Sequence, residues 1–395
     1  MSETGRGVLS DLARPIALYV HWPYCRSRCP YCDFNAHVPR NRVDGDRWLR
    51  AYEAEIRHSR RLSGSGTLVS VFFGGGTPSL MPPEVTHGVL AAASTAWPLA
   101  EAAEITLEAN PNSVEVGRFE AFRDAGVNRV SIGVQSLDDD ALRQLGRGHT
   151  AAEARRAVET AGATFPRFSF DLIYGRPGHD ASFWRTELGD AIALAGEHLS
   201  CYQLTIERGT PFHALAAAGR LRLPEEPVLA ELFDVTSDTL AAAGLPRYEV
   251  SNHARPGAES RHNLTYWRYG DYVGVGPGAH GRVRIGSGVG GHTRIRKPEA
   301  WLRAVEACGH GTETTECIPA ATAGREMLMM GLRMVEGVSR AAFTERTALA
   351  LDQALRPEAL RRARDAGLMH ADRDGVRVTP VGIRVLDALI GDVVA

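Results

Sequence analysis

The chain has 395 residues, of which 44% are hydrophobic and 23% are charged, and these ordinary globular values exclude a disordered chain and a coiled coil. Its formal net charge of −2 provides no strong overall field that would attract nucleic acid or an anionic membrane. The sequence contains no apolar run long enough for a membrane span, and its first residues lack the apolar core of a signal peptide. We therefore predict a cytoplasmic protein that does not bind nucleic acid.

Short runs of β-branched and aromatic residues alternate with amphipathic stretches between residues 16 and 206. The six predicted strands are Ile16–Val20, Leu68–Phe73, Glu104–Glu108, Arg129–Gly133, Phe168–Ile173 and Ser200–Ile206. The predicted helices between them are Asp46–Leu62, Pro82–Ala96, Glu115–Ala125, Ala151–Ala161 and Phe183–Ala195. This alternation is typical of an α/β fold with a parallel sheet that closes fully or partly into a barrel. Functional residues are then expected at the carboxyl ends of the strands.

Two less regular regions follow this predicted barrel, and residues 1–15 precede it as an N-terminal tail. Residues 207–320 contain a predicted helix around Glu225–Ala243 and a stretch of strands and turns from Tyr269 to Arg296. Residues 321–395 contain three predicted helices, two short strands and a closing helix, a pattern that resembles a winged helix. The helices are Arg325–Val335, Arg340–Thr347, Pro357–Ala366 and Pro380–Ile390. This last part has no clear basic excess, so we expect a structural or partner-docking role instead of DNA binding.

Three of the six cysteines, Cys25, Cys29 and Cys32, follow the first predicted strand with C-x3-C-x2-C spacing. Thiolates at this spacing can converge on one inorganic centre. Zinc would need a fourth ligand, which His21 or His37 could supply, whereas a four-iron cluster can take three cysteines and leave one iron open. The spacing favours the cluster over zinc, and a disulfide with a spare thiol is the weakest interpretation.

A glycine-rich segment, Phe-Gly-Gly-Gly-Thr-Pro at residues 73–78, follows the second predicted strand. Consecutive glycines let a backbone approach a ligand closely, but such a turn is weak evidence when it stands alone. Together with the cysteine loop, it resembles the radical S-adenosylmethionine (SAM) superfamily. The resemblance implies that the amino and carboxylate groups of SAM chelate the open iron. It also implies that an electron from the cluster can split SAM to give a 5′-deoxyadenosyl radical.

Further segments narrow the resemblance to the coproporphyrinogen dehydrogenase (HemN-type) family and, within it, to the HemW subgroup of heme chaperones. These segments are Tyr19–Pro23, Gly74–Ser79, Glu108–Pro111, Gly133–Ser136, Gly146–His149 and Asp171–Gly175. The likeness extends from about residue 16 to the C-terminus. It implies a partial (βα)6 radical SAM barrel with a C-terminal winged-helix-like α+β domain.

The resemblance also implies a role for each matching residue. Cys25, Cys29 and Cys32 would ligate a [4Fe–4S] cluster. The residues that would contact SAM are Tyr19, Tyr31, Gly75, Gly76, Thr77, Glu108, Gln135, Arg147 and Asp171. Glu108 and Asp171 could instead only cap helices, and Gln135 and Arg147 could be ordinary polar loop residues. No residue is assigned a catalytic role.

Residues 261–267 read Arg-His-Asn-Leu-Thr-Tyr-Trp and match the H-N-x-x-Y-W motif that the HemW family associates with heme binding. The imidazole of His262 can serve as an axial iron ligand, and Tyr266 and Trp267 offer flat apolar area to a macrocycle. The alternative is a histidine that is hydrogen-bonded in a strand beside two core aromatics. His280 is a weaker candidate, because the family's loop at this position passes near SAM.

The leading functional hypothesis is a carrier that binds heme, a [4Fe–4S] cluster and SAM and delivers heme to an acceptor such as a membrane respiratory enzyme. An unidentified electron donor, a homodimer and transient membrane association are compatible with it. The alternative is an oxygen-independent coproporphyrinogen III dehydrogenase, which decarboxylates propionates to vinyls. Phe34 stands where that enzyme's motif continues with cysteine, and the dehydrogenase's N-terminal extension is not matched, so we expect the carrier. A zinc-dependent winged-helix regulator is disfavoured by the neutral charge.

Overall fold

Apolar residues fill the six predicted strands, and the computed structural model, which describes residues 14–286 and 288–395, places all six side by side. They are β1 (Pro15–Trp22), β2 (Thr67–Gly75), β3 (Leu99–Ala109), β4 (Arg129–Gln135), β5 (Arg167–Tyr174) and β6 (His198–Gln203). Each strand pairs in parallel with the next one along the chain. Both faces of these strands are covered, which explains their nearly continuous apolar sequences. The predicted α/β barrel core is confirmed.

The sheet continues beyond both edges of the predicted barrel. At one edge, β7 (Asn252–Ala254) pairs antiparallel with β6. At the other, β8 (Asp271–Val275) pairs in parallel with β1 and is followed by an antiparallel meander. The meander strands are β9 (His280–Ile285), β10 (Gly288–Arg294) and β11 (Thr312–Ile318). The carboxyl end of β1 therefore lies between two parallel neighbours in an eleven-stranded sheet.

Helices cover this sheet, and several begin at capping residues that satisfy their first backbone N–H groups. Asp44 accepts from the N–H of Arg47, and Thr150 forms a capping box with Glu153. The helices of the barrel are α1 (Gly45–Ser63), α2 (Pro83–Ala96), α3 (Ser113–Val116), α4 (Phe119–Asp124), α5 (Asp139–Gln144), α6 (Ala151–Thr164) and α7 (Ala181–Leu194). Those of the next region are α8 (Pro211–Ala217), α9 (Glu226–Ala242), α10 (Arg261–Trp267) and α11 (Pro298–Cys308).

One of the predicted barrel helices is divided into two helices in the structure. The stretch Glu115–Ala125 is divided into α3 and α4, with Gly117 and Arg118 between them. Glycine has a low helix propensity, and the guanidinium of Arg118 donates to the carbonyl oxygens of Ser79 and Met81. The interruption therefore ties this segment to the turn that follows β2.

The C-terminal region has its own core and a small sheet. Its helices are α12 (Ala320–Gly331), α13 (Arg340–Thr347), α14 (Pro357–Asp365) and α15 (Leu386–Val393). Its strands are β12 (Val338–Ser339), β13 (Met369–Ala371) and β14 (Gly375–Val378), in the order β12-β14-β13. The predicted last helix, Pro380–Ile390, is a 3-10 turn at Gly382–Val385 followed by α15.

This region is joined to the large sheet by polar contacts as well as by packing. Arg346 of α13 forms a buried ion pair of 2.6 Å with Asp271 at the start of β8. Arg282 of β9 pairs with Glu326 of α12 at 2.9 Å. Among the described helices, none is both long and apolar enough to cross a lipid bilayer. Of the predicted N-terminal tail, residues 1–13 lie outside the described residues.

Candidate functional site

A cavity of about 570 Å³ opens at the carboxyl ends of the barrel strands. We call it the cysteine cavity, because Cys25, Cys29 and Cys32 line it. Residues that follow β2, β3, β4, β5 and β6 complete its wall, as expected for a parallel α/β barrel. The residues predicted to contact SAM that line this cavity are Tyr31, Gly75, Gly76, Thr77, Glu108, Gln135, Arg147 and Asp171.

The three cysteines are free thiols in a loop whose shape is set by backbone hydrogen bonds. The N–H of Cys25 donates to the carbonyl of His37 at 2.9 Å, and that of Cys32 donates to the carbonyl of Cys29 at 3.1 Å. The Thr77 hydroxyl donates to the sulfur of Cys25, and the Arg147 guanidinium donates to that of Cys29, each at 3.3 Å. Donors placed on two of the sulfurs favour the thiolate form, which is the form that binds metal.

Burial and the neighbouring thiols, opposed by the Thr77 hydrogen bond, raise the pKa of Cys25 to about 11. This thiol is therefore protonated at neutral pH unless a positive centre binds it. Within residues 14–286 and 288–395, no three His, Cys, Asp or Glu side chains have the spacing of a single-ion metal site.

The two histidines that could complete a zinc site are engaged elsewhere. The imidazole of His21 is hydrogen-bonded through Nδ1 to the Tyr19 hydroxyl and through Nε2 to the carbonyl of Asn35, both at 3.0 Å. His37 Nε2 contacts the side-chain oxygen of Asn35 at 3.2 Å. His149 lines the cysteine cavity, but its Nε2 is hydrogen-bonded to the carbonyl of Val134 at 3.0 Å. The three thiols therefore lack the histidine that the sequence offered as a fourth ligand, which suits a soft iron–sulfur centre better than a closed zinc site.

The glycine-rich turn packs directly against the cysteine loop. The N–H of Gly76 donates to the carbonyl of Trp22 at 2.7 Å, and that of Thr77 donates to the carbonyl of Tyr24 at 2.9 Å. A Cβ added to Gly76 would lie 2.8 Å from the Tyr24 oxygen, and one added to Gly75 would lie 2.5 Å from the His21 ring. Gly75 also has a φ of +115°, which side chains rarely adopt. Only glycine fits these two positions.

Two carboxyl groups, Glu108 on β3 and Asp171 on β5, lie side by side deep in the barrel. Glu108 accepts a hydrogen bond of 3.1 Å from the N–H of Gly75. Burial, followed by the charge of Asp171, raises the pKa of Glu108 to about 8. Burial also raises the pKa of Asp171 to about 6, although a hydrogen bond from Ser200 opposes this shift. Burial separates both carboxyl groups from water, and a cationic ligand bound beside them would favour their ionised forms.

Arg147 and Gln135 also line the cysteine cavity, and Gln135 pairs with Leu172 of β5 at the end of β4. The Arg147 guanidinium donates to the side-chain oxygen of Asn110 at 2.6 Å and to the carbonyl of Gly133 at 2.7 Å, besides its contact with Cys29. Gln135 has a φ of +73°, an unusual conformation for a residue other than glycine. Strained backbone of this kind persists where the surrounding structure holds it, which is common in binding sites.

A second cavity, also of about 570 Å³, adjoins the first. We call it the histidine cavity, because His21, His198, His262 and His280 line it. The two cavities share a wall formed by Phe34, Gly75, Glu108, Ser131, Asp171 and Tyr202. Tyr19, predicted to contact SAM, lines the histidine cavity and not the cysteine cavity.

His262 lies near the start of α10, which Ser260 caps. Its ring stacks on Phe72 with centroids 4.8 Å apart, and its Nδ1 is hydrogen-bonded to the hydroxyl of Ser70 at 3.1 Å. Burial lowers its pKa to about 4, so the imidazole is neutral at pH 7. Its Nε2 has no hydrogen-bond partner among the described residues. A neutral imidazole with one engaged and one free nitrogen is suited to bind a metal.

The two aromatic residues of the motif are placed differently. Tyr266 lines the histidine cavity, whereas Trp267 does not and instead packs on Tyr266 with ring centroids 4.8 Å apart. His262 and Tyr266 therefore line one cavity, whereas Trp267 contacts Tyr266 and is not part of the lining. His280, the weaker candidate from the sequence, lines the same cavity.

Glu104 holds the start of α10 and was predicted from the sequence only as part of a strand. Its Oε1 accepts from the N–H of His262 at 3.2 Å and from the hydroxyl of Ser260 at 3.3 Å. Its Oε2 accepts from Arg167 at 2.7 Å. Burial opposes ionisation, but Arg129 and Arg167 hold the pKa of Glu104 below its usual value. The carboxylate therefore carries a charge in the core and fixes the position of the motif.

Several residues of the histidine cavity were not identified from the sequence, among them Tyr272, Arg296 and Met330. Tyr272 lies on β8, Arg296 lies between β10 and α11, and Met330 lies on α12. None belongs to a recognisable motif. The pairing of β8 with β1 brings Tyr272 near His262, and the packing of α12 against α10 brings Met330 there.

Two parts of the chain match models of known protein families. Residues 19–186 match the model of the radical SAM superfamily. Residues 318–385 match the model of the HemN C-terminal domain. The coproporphyrinogen III oxidase (HemN) of Escherichia coli superimposes with a TM-score of 0.79 over 96% of this chain and 90% of that one. It is only 22% identical, so this likeness concerns the fold alone.

Curated relatives cover nearly the whole chain. The heme chaperone HemW of Escherichia coli is 36% identical over 95% of this chain and 97% of its own length. The heme chaperone HemW of Bacillus subtilis is 32% identical over 95% of this chain and 99% of its own length. The mitochondrial radical S-adenosyl methionine domain-containing protein 1 of Bos taurus is 42% identical over 95% of this chain and 86% of its own length. The resemblance found in the sequence is confirmed, and the chain belongs to the HemW family of radical SAM proteins.

Proposed function

We propose that this chain is a heme chaperone, which binds heme in the histidine cavity and passes it to an acceptor protein. The observation that carries the proposal is the imidazole of His262, which is neutral, is fixed through Nδ1 and lines a cavity beside the cysteines. When Nδ1–H donates to Ser70, the lone pair of Nε2 is available as an axial ligand to iron. The relatives named heme chaperone HemW support the same function.

The rest of the histidine cavity suits a flat, largely apolar ligand. Phe72, Tyr266 and Tyr272 contribute aromatic surface, and Trp267 supports Tyr266 from behind. Aromatic rings bury large apolar areas against a macrocycle. The thioether of Met330 also lines this cavity, and sulfur of this kind is a second ligand type that heme iron accepts.

The cysteine cavity is proposed to hold the cofactors of the superfamily, a [4Fe–4S] cluster on Cys25, Cys29 and Cys32, and SAM. When bound, this pair supplies one-electron reductive cleavage of SAM. Thr77 and Arg147 donate to two of the cysteine sulfurs and would stabilise the thiolates.

The chain would bind SAM through groups of both charge types. Glu108 is placed to ionise against the amino group, and the Gly75–Gly76 backbone permits close approach. Tyr31, Thr77, Gln135, Arg147 and Asp171 surround the remaining volume. Tyr19 would act from the histidine cavity, through its hydrogen bond to His21.

We propose that the chain has three functional parts after its N-terminal tail. Residues 16–206 hold the cluster and SAM, residues 207–320 supply the heme motif, and residues 321–395 serve as a docking unit. The docking unit carries exposed Val381 and Val385. The proposed acceptor is a membrane respiratory enzyme, met transiently at the membrane by a cytoplasmic carrier. A separate electron donor and a homodimeric state belong to the same proposal.

Anaerobic reconstitution followed by two parallel incubations with SAM and reductant tests the function. With heme, we expect one Soret-absorbing heme per chain and transfer to an apo-acceptor. With coproporphyrinogen III, we expect no vinyl product. Formation of protoporphyrinogen IX together with 5′-deoxyadenosine would contradict the carrier and establish the dehydrogenase.

A variant pair connects this test to the site. His262→Ala should weaken heme binding by at least tenfold, because the axial ligand is lost. His213→Ala is the matched control, since His213 is exposed on α8 and lines neither cavity. Equal heme affinities of the two variants would place the heme elsewhere.

A further inference from the structure

The mouth of the histidine cavity carries a cationic side chain to which the proposed function gives no role. Arg296 follows β10 directly, is exposed and lines this cavity. Its carbonyl oxygen accepts from the side-chain amide of Asn35 at 2.9 Å, which ties it to the cysteine loop. A Cβ added to Gly278 would lie 3.6 Å from Cγ of Arg296, so the stem of the arginine runs along this glycine turn. The backbone and the first part of the side chain of Arg296 are thereby positioned at the cavity lining.

Among residues 14–286 and 288–395, no carboxylate forms an ion pair with Arg296. Within the part of the chain that the structure describes, the ion pairs of neighbouring arginines do not include it: Arg294 pairs with Glu55, and Arg303 with Glu299. Burial is the main cause that lowers the pKa values of His21, His37 and His280, and the charge of Arg296 is a smaller one. The guanidinium therefore lies within electrostatic range of three imidazoles.

Arg296 and His280 are both exposed residues of the cavity lining, and His280 starts β9. The charges that act on the His280 imidazole besides Arg296 are Arg282 and the carboxylate of Glu313 on β11. The carboxyl groups of Glu108 and Asp171 belong to the wall shared with the cysteine cavity, and buried Arg129 also lines the histidine cavity. The lining therefore combines aromatic rings with an exposed arginine and an exposed imidazole. A ligand with an apolar body and a carboxylate at one edge matches these exposed donors.

We propose that Arg296 and His280 form a carboxylate-binding site at the mouth of the histidine cavity, which receives a propionate of the bound heme. The inference rests on the proposed function, because it orients the same heme: the iron towards His262 and the propionate edge towards the entrance. Arginine suits this role, since its planar guanidinium offers paired N–H donors to a carboxylate. An imidazole N–H of His280 adds a donor beside it.

The test measures the affinities of the cluster-reconstituted full chain for heme and for heme dimethyl ester by anaerobic Soret titration. The ester keeps the macrocycle and the iron but lacks both carboxylates. The wild type should bind heme about tenfold more tightly than the ester, the size of a single charge-assisted contact. Arg296→Gln should lose about tenfold in heme affinity, keep its ester affinity and so lose the discrimination. His280→Gln should show the same pattern with a smaller loss.

Lys297→Gln is the matched control, because it removes one positive charge from the adjacent exposed residue, which does not line the cavity. It should bind both ligands as the wild type does. A titration of heme in the presence of saturating SAM separates a heme propionate from the carboxylate of a second SAM molecule. Competition by SAM that disappears in Arg296→Gln would assign the site to SAM and overturn the inference.

Two other outcomes would also overturn the inference while the proposed function stands. In one, the wild type binds heme and its ester equally well. In the other, Arg296→Gln and Lys297→Gln weaken heme binding to the same extent, which would be a general charge effect. Absence of stoichiometric heme binding by the wild type would instead overturn the proposed function itself.

Discussion

The two adjoining cavities have the same volume but are built in different ways. The cysteine cavity is formed by consecutive strand ends of the barrel, and its cysteines and the residues predicted to contact SAM belong to short motifs. The histidine cavity collects residues from β1, β2, α10, the meander and α12. The first is therefore readable from sequence, whereas the second exists only once β8 has paired with β1. A family motif marks only one wall of it.

The largest effect should come from the cluster ligands, and it should separate the two cavities. Cys29→Ser removes a thiolate that Arg147 supports, so the four-iron absorption of the reconstituted protein should be abolished. Heme affinity should stay within about twofold, because none of the three cysteines lines the histidine cavity. Cys308→Ser, at an exposed thiol on α11, is the control. A full cluster in Cys29→Ser would contradict the ligand assignment.

Gly75→Ala should damage both cavities at once, because Gly75 lies in their shared wall. Its φ of +115° and the approach of a Cβ to the His21 ring at 2.5 Å both oppose a side chain. We expect a loss of about 2–4 kcal/mol in the free energy of unfolding, measured by denaturant titration. A Cβ at Gly148 would meet nothing within 4 Å, so Gly148→Ala should cost less than about 1 kcal/mol. Equal losses would refute the packing argument.

Glu104→Gln should act on the histidine cavity alone. It leaves Arg129 and Arg167 without their buried counter-charge and weakens the hold on α10. Thermal unfolding should show a destabilisation of about 2–3 kcal/mol, and heme affinity should fall several-fold while the cluster spectrum is unchanged. Glu120→Gln, on the surface of α4, provides the control. Unchanged heme affinity would show that Glu104 does not position His262.

The smallest predicted effect is a pH dependence that originates in the shared wall. The pKa of Glu108 is about 8 in the folded protein, against 4.5 for an ordinary glutamic acid, so the folded state binds the extra proton between these values. The contribution of Glu108 to the stability of the cofactor-free protein should therefore fall as pH rises from about 4.5 to about 8. Buried histidines such as His21 and His262, whose pKa values are lowered, act in the opposite direction, so the difference in midpoint temperature between the wild type and Glu108→Gln isolates this contribution. We expect the wild type to lose midpoint temperature relative to Glu108→Gln as pH rises through this window, and a constant difference would contradict the assignment.

Much of the fold could be predicted from the sequence because its signals are local. The β-branched runs of β1 to β6 located all six parallel strands, although β2 continues through Gly74 and Gly75, which have low strand propensity. These glycines remain part of β2 because they pair with His21 and Trp22 of β1. The pairing of β8 with β1 joins segments about 250 residues apart, and no local sequence pattern predicts it.

The candidate site was predictable to the extent that its residues belong to motifs. The cysteine loop, the glycine turn and the H-N-x-x-Y-W segment were all found, and Tyr19 was assigned to the cofactor site by position in the family motif. Strand geometry adds that Tyr19 and His21 point to one face, because side chains alternate along β1. No sequence pattern indicated the roles of Glu104 and Arg296, because these roles depend on partners that are distant in sequence.

We propose that the imidazole of His262 binds heme iron in a cavity that the three cysteines do not line. Resonance Raman spectroscopy of the heme-loaded wild type and of His262→Ala, with and without added imidazole, tests this iron–histidine bond. We expect an iron–histidine signature in the wild type, its loss in the variant and its recovery when imidazole is added. Identical spectra of the two proteins would contradict this assignment and require a different ligand.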